Sequence, residues 1–553
     1  MLPTIQKSRF NLPLVTISFL FSVGLGTLNP LSAIAAPASP TRTPDFTPPL
    51  APTIAPTPSS TAPLWENEKA LHVLNRLAYG PRPGDVDAIK KMGVKRYIDL
   101  QLNPERIPLP QTLIDQLASL PTYQLSTTQL YQQYGPPSFP PNTATPEEKN
   151  QARQRANKEI TLQAHQARLW EATESPRQLQ EIMTEFWFNH FNVFEGKEWV
   201  RYWNGEYEKN VLRPNALGNF RQLLGSVAHH PAMLYYLDNW LSSGVNTPEA
   251  RGRFKGLNEN YGRELLELHT LGINGGYTQA DVIALARILS GWTIDVKDMK
   301  NGANNSSSGG YSSDQPTFIF NPRRHDTGDK IFLGQTIKGL AGQDGEQEGE
   351  QALDIVARQP ATARFISTKL VQYFVSDKPD PALVEKLAQR FLSTNGDIKA
   401  VLHTLFDSQQ FWSRANYQTQ FKTPYQYIVS ALRASDIPVM NVRPVDNALN
   451  QLGQPLYGWL TPEGYKFSEE AWLNPDALLR RINFVSSLGN GKSPIGFPPP
   501  PPGPPSNAVP LDPQQLIKTL SPLLDQRSID TITTAPANLQ ASMILGSPDF
   551  MRR

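Results

Sequence analysis

The 553-residue sequence contains no cysteine. The chain therefore has no disulfide to stabilise it, and no thiolate that could act as a nucleophile or bind zinc. It also lacks the residue to which a lipid anchor could be attached. Its stability must come from a packed core, and a chain of this length with 39% hydrophobic residues can form a large one.

The sequence also lacks an excess of charge, since 52 Lys and Arg residues stand against 50 Asp and Glu residues. No overall field therefore attracts the chain to nucleic acid or to an anionic lipid surface, and we predict no nucleic-acid partner. Standard signatures are missing as well: there is no His-Glu-x-x-His, no Gly-x-Ser-x-Gly and no phosphate-binding Gly-x-x-x-x-Gly-Lys. An active site can be predicted only from the accumulation of polar residues.

The first 35 residues have the pattern of a secretory signal. Lys7 and Arg9 precede an apolar stretch over residues 10–25, and small residues end at Ala35. This order of charge, apolar stretch and small residues is typical of a signal peptide that is cleaved, here before Ala36. We therefore expect an exported protein, located in the periplasm or outside the cell.

A retained membrane anchor is the alternative for this segment. The apolar stretch is interrupted by Asn11 and Pro13. It also falls short of the roughly 20 apolar residues that a helix needs to cross a bilayer. The sequence therefore favours cleavage, with no stable membrane span afterwards.

Composition divides the rest of the chain. A stretch rich in Pro, Thr and Ser cannot bury enough apolar surface to fold and predicts an extended linker, and a second run of nearly pure proline predicts a spacer. The predicted segments are a signal peptide (1–35), a linker (36–64), a helical domain (65–495), a Pro-rich spacer (496–510) and a C-terminal helical segment that packs on the main domain (511–553).

Helical periodicity dominates beyond residue 65, and most segments repeat apolar residues at intervals of three and four. One exception lies between Gln315 and Ile337, where two short β-prone runs flank a turn that contains His325 and Asp326. The sequence predicts an all-α or α-dominated fold, a large multi-helix bundle with a small β-hairpin near 315–337.

The run from Phe186 to Phe194 is apolar around nearly the whole helical circumference, so this helix should be buried. Asn189 and His190 would then be buried with it. An unpaired buried amide or imidazole costs on the order of 1 to 3 kcal/mol, so both side chains should have partners. A lone histidine in such a place is more often hydrogen bonded in a core than catalytic.

A second helix begins near Asn258 and carries several ionisable groups. At 100° per residue, Glu259 falls on the polar face, His269 on the apolar face and Glu264 on the border between them. His269 should therefore be buried. Glu259 also has ordinary i,i+4 spacing to Arg263, which is typical of a surface ion pair.

The accumulation of these groups suggests a site, although each has a structural alternative. As divalent-metal ligands for Zn, Mn or Fe, the sequence suggests His190, Glu264, His269, His325 and Asp326. As catalytic residues, it suggests His190, Glu264, His269, Asn189 and Glu259. Without a metal, the same carboxylate and imidazole groups could act as general acid and base in hydrolysis. In the turn, His325 and Asp326 are more often backbone hydrogen-bonding residues.

The chain resembles the bacterial family catalogued as domain of unknown function 1800. The matching stretches are residues 72–81, 186–191, 213–224, 230–234, 237–239, 258–292, 325–326, 359–364, 369–370 and 547–550. The resemblance spans residues 66–553, nearly all of the mature chain. Gly262 and Ser290 stand where the family more often has Ala and Thr, which affects only local packing.

The resemblance implies an exported, mostly helical bacterial protein without a settled activity. It also implies a possible partner, because members of the family are often encoded beside a second exported family, domain of unknown function 1501, which is similar to alkaline phosphatases and sulfatases. Two hypotheses follow. The chain is either a metal-assisted hydrolase or related enzyme acting on an envelope or extracellular substrate, or a non-catalytic scaffold that assembles with such a phosphatase-like protein.

Overall fold

The computed structural model describes residues 63–138, 144–252, 256–295, 318–498, 509–521 and 523–553. The predicted signal peptide, nearly all of the linker, the Gly, Asn and Ser-rich stretch at 301–313 and most of the Pro-rich spacer lie outside these residues. All of the described residues belong to one compact unit, Pro58–Arg553.

Helices form most of the described chain, which confirms the predicted α-dominated fold. The N-terminal half contains α1 (Glu66–Leu77), α2 (Asp85–Met92), α3 (Val94–Gln101), α4 (Gln111–Ala118), α5 (Thr127–Tyr134), α6 (Pro146–Glu174), α7 (Gln178–His190), α8 (Val200–Glu206), α9 (Arg213–Asn215), α10 (Phe220–His229), α11 (Pro231–Tyr236), α12 (Glu259–Glu264) and α13 (Gln279–Ile288).

The C-terminal half continues in the same way. It contains α14 (Glu346–Ala357), α15 (Pro360–Phe374), α16 (Pro381–Ser393), α17 (Ile398–Phe406), α18 (Pro424–Ala434), α19 (Arg443–Gln451), α20 (Glu469–Trp472), α21 (Pro475–Gly489), α22 (Pro513–Leu520), α23 (Gln526–Thr534) and α24 (Ala537–Leu545).

Local sequence explains where several of these helices begin. The Thr278 side chain accepts a hydrogen bond from the Asp281 amide, and the Asp281 side chain caps the Thr278 amide in return. This reciprocal capping satisfies two donors that the first turn of a helix leaves free. At α16 the Asp380 side chain caps the helix and Pro381 occupies its first position, where a missing N–H costs nothing.

Two helices widen into π-helical turns. Residues Tyr207–Leu212 continue α8, and residues Leu265–Thr270 continue α12. We call these segments π1 and π2. A π turn accommodates an extra residue and redirects the side chains that follow it, and such turns are frequent at functional sites. The predicted helix that begins near Asn258 is therefore confirmed as helical, with a geometry that periodicity alone does not reveal.

Four short strands form two separate two-stranded sheets. Strand β1 (Trp292–Ile294) pairs antiparallel with β2 (Phe318–Phe320), and β3 (Lys330–Phe332) pairs antiparallel with β4 (Gln335–Ile337). A hairpin is thus present within 315–337, but its arms are β3 and β4. The prediction that the run at β2 pairs with the run at β3 is wrong, because Trp292–Ile294 supplies a more distant apolar partner for β2.

The predicted buried helix is confirmed. Phe186, Trp187 and Phe188 of α7 are each at most 4% exposed, and aromatic rings from several other elements surround them. Phe186, for example, packs edge-on against Tyr373 of α15 with ring centroids 5.4 Å apart. Helix α7 is therefore a central element against which the helices that carry polar groups are packed.

The last residues of the chain lie in the same core. The main-chain amide of Lys422 donates to the carbonyl of Met551, and the amide of Arg553 donates to the carbonyl of Gln420. Phe550 is fully buried and packs against Tyr427 with ring centroids 5.7 Å apart. Within the described residues, no helix has the length and apolar character required to cross a membrane.

Candidate acid–base site

His190 lies at the end of α7 and is 2% exposed. Its Nε2–H donates a hydrogen bond of 3.0 Å to the main-chain carbonyl of His269, while Nδ1 has no partner among the described residues. Burial lowers the pKa of His190 well below its usual value, and the charges of Lys369 and His269 lower it further. The imidazole is therefore neutral at physiological pH.

His269 lies in π2 with its side chain fully buried. Neither of its ring nitrogens is hydrogen bonded by a described residue. Its ring centroid is 6.2 Å from that of His190 and 5.1 Å from that of Phe191. Burial, and then the charge of Lys369, lower the pKa of His269 to about 3. A neutral imidazole without a partner is costly in a core and requires an explanation.

Lys369 lies on α15, partly buried, with its ammonium 4.9 Å from the centroid of the Phe365 ring. None of the hydrogen bonds or ion pairs among the described residues involves its Nζ. Burial lowers the pKa of Lys369 to about 8, against an opposing effect of the Glu463 carboxylate. The amine is therefore mostly protonated near physiological pH, with a minor neutral fraction that is larger than that of an exposed lysine.

Glu264 ends α12 and is only partly exposed. Burial raises its pKa, and the negative charges of Glu267 and Glu463 raise it further, against the effect of Arg263. The pKa of the Tyr236 phenol is raised by burial and then by Glu463 and Glu264. The carboxylates of Glu264 and Glu463 and the phenol of Tyr236 are therefore near enough to influence one another's protonation.

These groups are linked by their effects on one another's pKa values. We call His190, His269, Lys369, Glu264, Glu463 and Tyr236 the polar site. Its inner end consists of the two neutral imidazoles, and its outer end of carboxylates that reach solvent. No ion pair of 4.0 Å or less joins Lys369 to Glu264 or Glu463 among the described residues. The arrangement therefore places proton donors and acceptors near each other without neutralising them in direct pairs.

The sequence suggested Asn189 as a catalytic residue, but in the structure its side chain holds a loop. It is partly buried, and its amide makes a reciprocal pair of hydrogen bonds with the main chain of Tyr465, at 2.8 Å from Nδ2 to the carbonyl and 2.6 Å from the amide to Oδ1. Both polar atoms of the side chain are therefore used to hold a loop. Asn189 positions the loop that carries Glu463 and does not offer a free group to a substrate.

His325 lies apart from the polar site in a satisfied buried cluster. Its Nε2 is 3.0 Å from Glu348, its Nδ1 is 2.8 Å from the carbonyl of Ser290, and Lys330 contacts Glu348 at 2.5 Å. Burial alone would raise the pKa of Glu348, but the hydrogen bonds from His325 and Lys330 hold it below its usual value. This cluster joins the turn to α14 and leaves no atom of His325 free.

Asp326 and Glu259 are likewise engaged elsewhere. Asp326 accepts two hydrogen bonds of 2.9 Å from the Arg287 guanidinium, which holds the turn onto α13. Glu259 lies 3.4 Å from Arg263 and accepts a hydrogen bond of 2.7 Å from Gln279, in a partly exposed position. The surface ion pair is the role that the structure supports for Glu259.

The predicted metal centre is not assembled. Among the described residues, which include all five suggested ligands, no group of three or more His, Asp and Glu side chains could hold a metal ion. His190 and His269 are in the polar site, whereas His325 and Asp326 each have their own partners near α13 and α14.

A second polar cluster lies between α6, α7 and π1. Arg213 contacts Glu171 at 2.6 Å, Glu208 at 2.9 Å and Glu181 at 3.1 Å, and Arg168 contacts Glu208 at 2.8 Å. Burial is the largest cause that raises the pKa of Glu171 to about 8. The charge of Arg213 opposes this rise, and the charges of Glu181 and Glu208 add to it. The direct contacts satisfy these groups, which makes the cluster a structural brace.

Sequence reasoning missed three members of the polar site. Lys369 was detectable in principle, because it is a cation that stands between the apolar residues Ile366 and Leu370, both of which are buried. Tyr236 also lies in a buried helix. Nothing in the sequence indicates that Glu463 belongs to the site, because it is an exposed residue in a loop whose location depends on distant contacts.

The fold and site define an α-dominated protein with a partly buried polar site and no recognisable metal-binding group among its described residues. The family model described as "Protein of unknown function (DUF1800)" matches residues 72–552, and the chain belongs to this family. The predicted membership is confirmed. No curated protein matches the chain, and no solved structure matches it.

Proposed function

We propose that this protein is an enzyme that uses the polar site for general acid–base catalysis, and that the reaction is a hydrolysis. The observation that carries the proposal is His269, a fully buried imidazole on a π turn. No described residue hydrogen bonds either of its ring nitrogens, and no described residue forms an ion pair with Lys369, whose charge lowers the pKa of His269. Structural histidines are hydrogen bonded, as His325 is. An unpartnered polar group beside ionisable ones is typical of a site that binds something.

The roles follow from the charges. The neutral form of Lys369 is the proton acceptor, since its pKa of about 8 lies close to physiological pH. Glu264 is the proton donor, because its raised pKa keeps a larger fraction of it protonated. His190 and His269 remain neutral and offer hydrogen bonds to a substrate. The protein groups present suffice for these proton transfers.

The test is a hydrolase screen of the purified mature protein with chromogenic phosphate, sulfate and glycoside substrates. Glu264→Gln and Lys369→Met should each abolish the activity found. Glu259→Gln is the matched control, because Glu259 lies on the same helix in an exposed pair. Loss of activity in all three variants, or in none, would refute the assignment of roles, and absence of hydrolysis in the whole screen would count against the reaction class.

We also propose that the protein acts outside the cytoplasm. The support is the charge and apolar pattern of residues 1–35. Expression of the full chain in a bacterial host, followed by fractionation and determination of the N-terminal residue, tests it. A mature chain that begins at Ala36 is expected. An intact N-terminus in the cytoplasmic fraction would contradict export.

The second candidate is a scaffold that assembles with an exported phosphatase-like or sulfatase-like protein. The observation that favours it is the satisfied brace around Arg213, which makes a rigid core without offering chemistry. Affinity purification from a native host discriminates between the two. A stable partner that is retained by Glu264→Gln and Lys369→Met, together with no hydrolysis, would favour the scaffold.

A further inference from the structure

A lysine and a glutamate that are both excluded from solvent join β3 to α14. The Nζ of Lys330 lies 2.5 Å from Oε2 of Glu348, and both side chains are 0% exposed. The contact is therefore direct, and bulk water does not reach either group. An amine and a carboxyl group held in this way are placed as the two reactants of an amide bond.

The other oxygen of the Glu348 carboxylate faces hydrogen-bond donors. Its Oε1 accepts a hydrogen bond of 2.7 Å from the main-chain amide of Leu340 and lies 3.0 Å from Nε2 of His325. The Nδ1 of His325 is 2.8 Å from the carbonyl of Ser290, so this nitrogen carries a hydrogen. In the protonated ring, Nε2 is a second donor to Oε1. Donors that converge on one oxygen stabilise the negative charge that develops there during acyl transfer.

The amine has few other partners. Besides Glu348, the Nζ of Lys330 donates to the main-chain carbonyl of Asp326. The nearest other carboxylate oxygen within ion-pair distance among the described residues is Oδ1 of Asp326, at 4.0 Å. That carboxylate is already engaged by two hydrogen bonds of 2.9 Å from Arg287. The amine of Lys330 is therefore directed at Glu348.

Two glycines of the segment that enters α14 let it lie close against the turn. A Cβ atom at Gly345 would lie 2.7 Å from Cδ2 of His325 and 2.8 Å from the Phe320 ring, and one at Gly349 would lie 2.1 Å from the Trp292 ring. The surroundings of the pair are therefore closely packed and partly aromatic. Oriented groups in such a setting react as if their concentrations were raised by many orders of magnitude.

We propose that Lys330 and Glu348 condense to an isopeptide bond, an amide cross-link between β3 and α14. The chain has no cysteine, so this bond supplies the covalent closure that a disulfide cannot. It closes a ring between residues 330 and 348 and restricts the unfolded chain as a disulfide would. The inference is independent of the polar site and of the proposed hydrolysis.

The reaction balances without any co-reactant. A proton passes from the Nζ ammonium of Lys330 to Oε2 of Glu348 along their contact, which leaves a neutral amine beside a carboxylic acid. The Nζ lone pair then attacks Cδ, and the donors from Leu340 and His325 stabilise the charge on Oε1. A second proton moves from Nζ to the Oε2 hydroxyl, the Cδ–Oε2 bond breaks and water leaves. The third hydrogen of the ammonium remains on the amide nitrogen.

The experiment determines the mass of the purified full chain under denaturing conditions. The chain should be lighter, by one water, than its sequence from the observed N-terminus predicts. Tandem mass spectrometry of a tryptic digest should show segment 325–338 joined to segment 339–358 through their side chains, with fragment ions that distinguish this branch from the uncleaved linear segment. A chain of full mass, or a loss of water that leaves residues 330 and 348 unlinked, would overturn the proposal.

A second lysine–acid pair in the same hairpin is the matched control. Lys338 lies 2.7 Å from Asp329, but the two side chains are 77% and 55% exposed, so this pair should stay unlinked in the same digest. A link there as well would assign both bonds to sample handling and overturn the proposal. Lys338→Met should retain the loss of water, whereas Lys330→Met should have the full mass of its sequence. A loss of water that persists in Lys330→Met would contradict the link.

Two variants test the donor from His325. His325→Phe keeps a ring but has no donor for Oε1 of Glu348, so the linked fraction of the purified protein should fall. His325→Gln supplies an amide donor and should restore part of it, with far-UV circular dichroism confirming that both variants are folded. If folded His325→Phe is linked as completely as the wild type, His325 has no role in the reaction. If both variants lose the link equally, His325 acts by packing and not as a donor.

Discussion

His190 donates a 3.0 Å hydrogen bond to the main-chain carbonyl of His269, but the imidazole of His269 itself receives and donates none among the described residues. The bond joins α7 to π2, so the backbone of π2 is fixed while its histidine side chain stays unpartnered. The polar site therefore combines a fixed main chain with an imidazole that no described residue hydrogen bonds. It also leads to a direct comparison between two buried histidines.

Replacement of His269 and His325 by leucine should change the free energy of unfolding by very different amounts. His269→Leu removes an imidazole without partners, so the free energy of unfolding should change by no more than about 1 kcal/mol. His325→Leu leaves Glu348 and Lys330 buried with a broken network, which should cost about 3 to 5 kcal/mol. Urea unfolding of both variants measures the difference. Equal destabilisation would show that His269 has a structural partner.

The buried histidine of α6 should make stability fall at alkaline pH. Burial by itself lowers the pKa of His165, but the hydrogen bonds and charges of Asp446 and Glu195 outweigh it and raise the pKa to about 9. Because this folded-state pKa exceeds the usual 6.5, the contribution is complete below pH 6.5 and is lost as the pH rises through 9.

Thermal unfolding between pH 6 and 10 tests this loss. Asp446→Asn removes the partner that lies 3.0 Å from His165 and should flatten the dependence of stability on pH in that interval. A variant that loses as much stability as the wild type over the same interval would assign the effect to another group.

Glu171 should make the stability of the protein fall over a lower pH interval than His165 does. Its pKa is raised from 4.5 to about 8, so the folded protein retains a proton that the unfolded chain releases. Stability should therefore fall as the pH rises from about 4.5 to 8 and stay level above that. Glu171→Gln keeps the size of the side chain and should reduce this slope. An unchanged slope in the variant would show that Glu171 is ionised in the folded protein.

Replacement of Arg213 should strongly lower the free energy of unfolding. Arg213→Met leaves Glu171, Glu181 and Glu208 buried without their shared guanidinium, which should cost about 3 to 5 kcal/mol. Arg364→Met is the control, because the Arg364–Glu385 pair is exposed and should contribute about 0 to 1 kcal/mol. Similar urea midpoints for the two variants would contradict the assignment of the Arg213 cluster as a brace.

Much of the fold could be predicted because the information is local. The continuous apolar run from Phe186 to Phe194 indicated a buried helix, and apolar residues at intervals of three and four indicated the other helices. The hairpin was predicted only in part, since β2 pairs with the remote β1. Pairing across a long connection depends on which apolar strand is nearest in space, and sequence patterns of period two do not contain that information.

The burial of two histidines was predicted, but not which polar groups meet. Periodicity placed His190 and His269 in the core, where the structure brings them together. His325 was suggested for the same site only because of its residue type, whereas packing places its side chain beside Glu348. Glu463 was missed because the position of its loop is set by the hydrogen bonds of Asn189.

The sequence by itself determined that helices dominate, that two histidines are buried, and that no cysteine chemistry is possible, because these properties follow from composition and from spacing along one helix. Only the tertiary structure decided which polar groups meet. Partner choice is set by the packing of elements that are distant in sequence, which places Glu348 beside His325 and Arg287 beside Asp326.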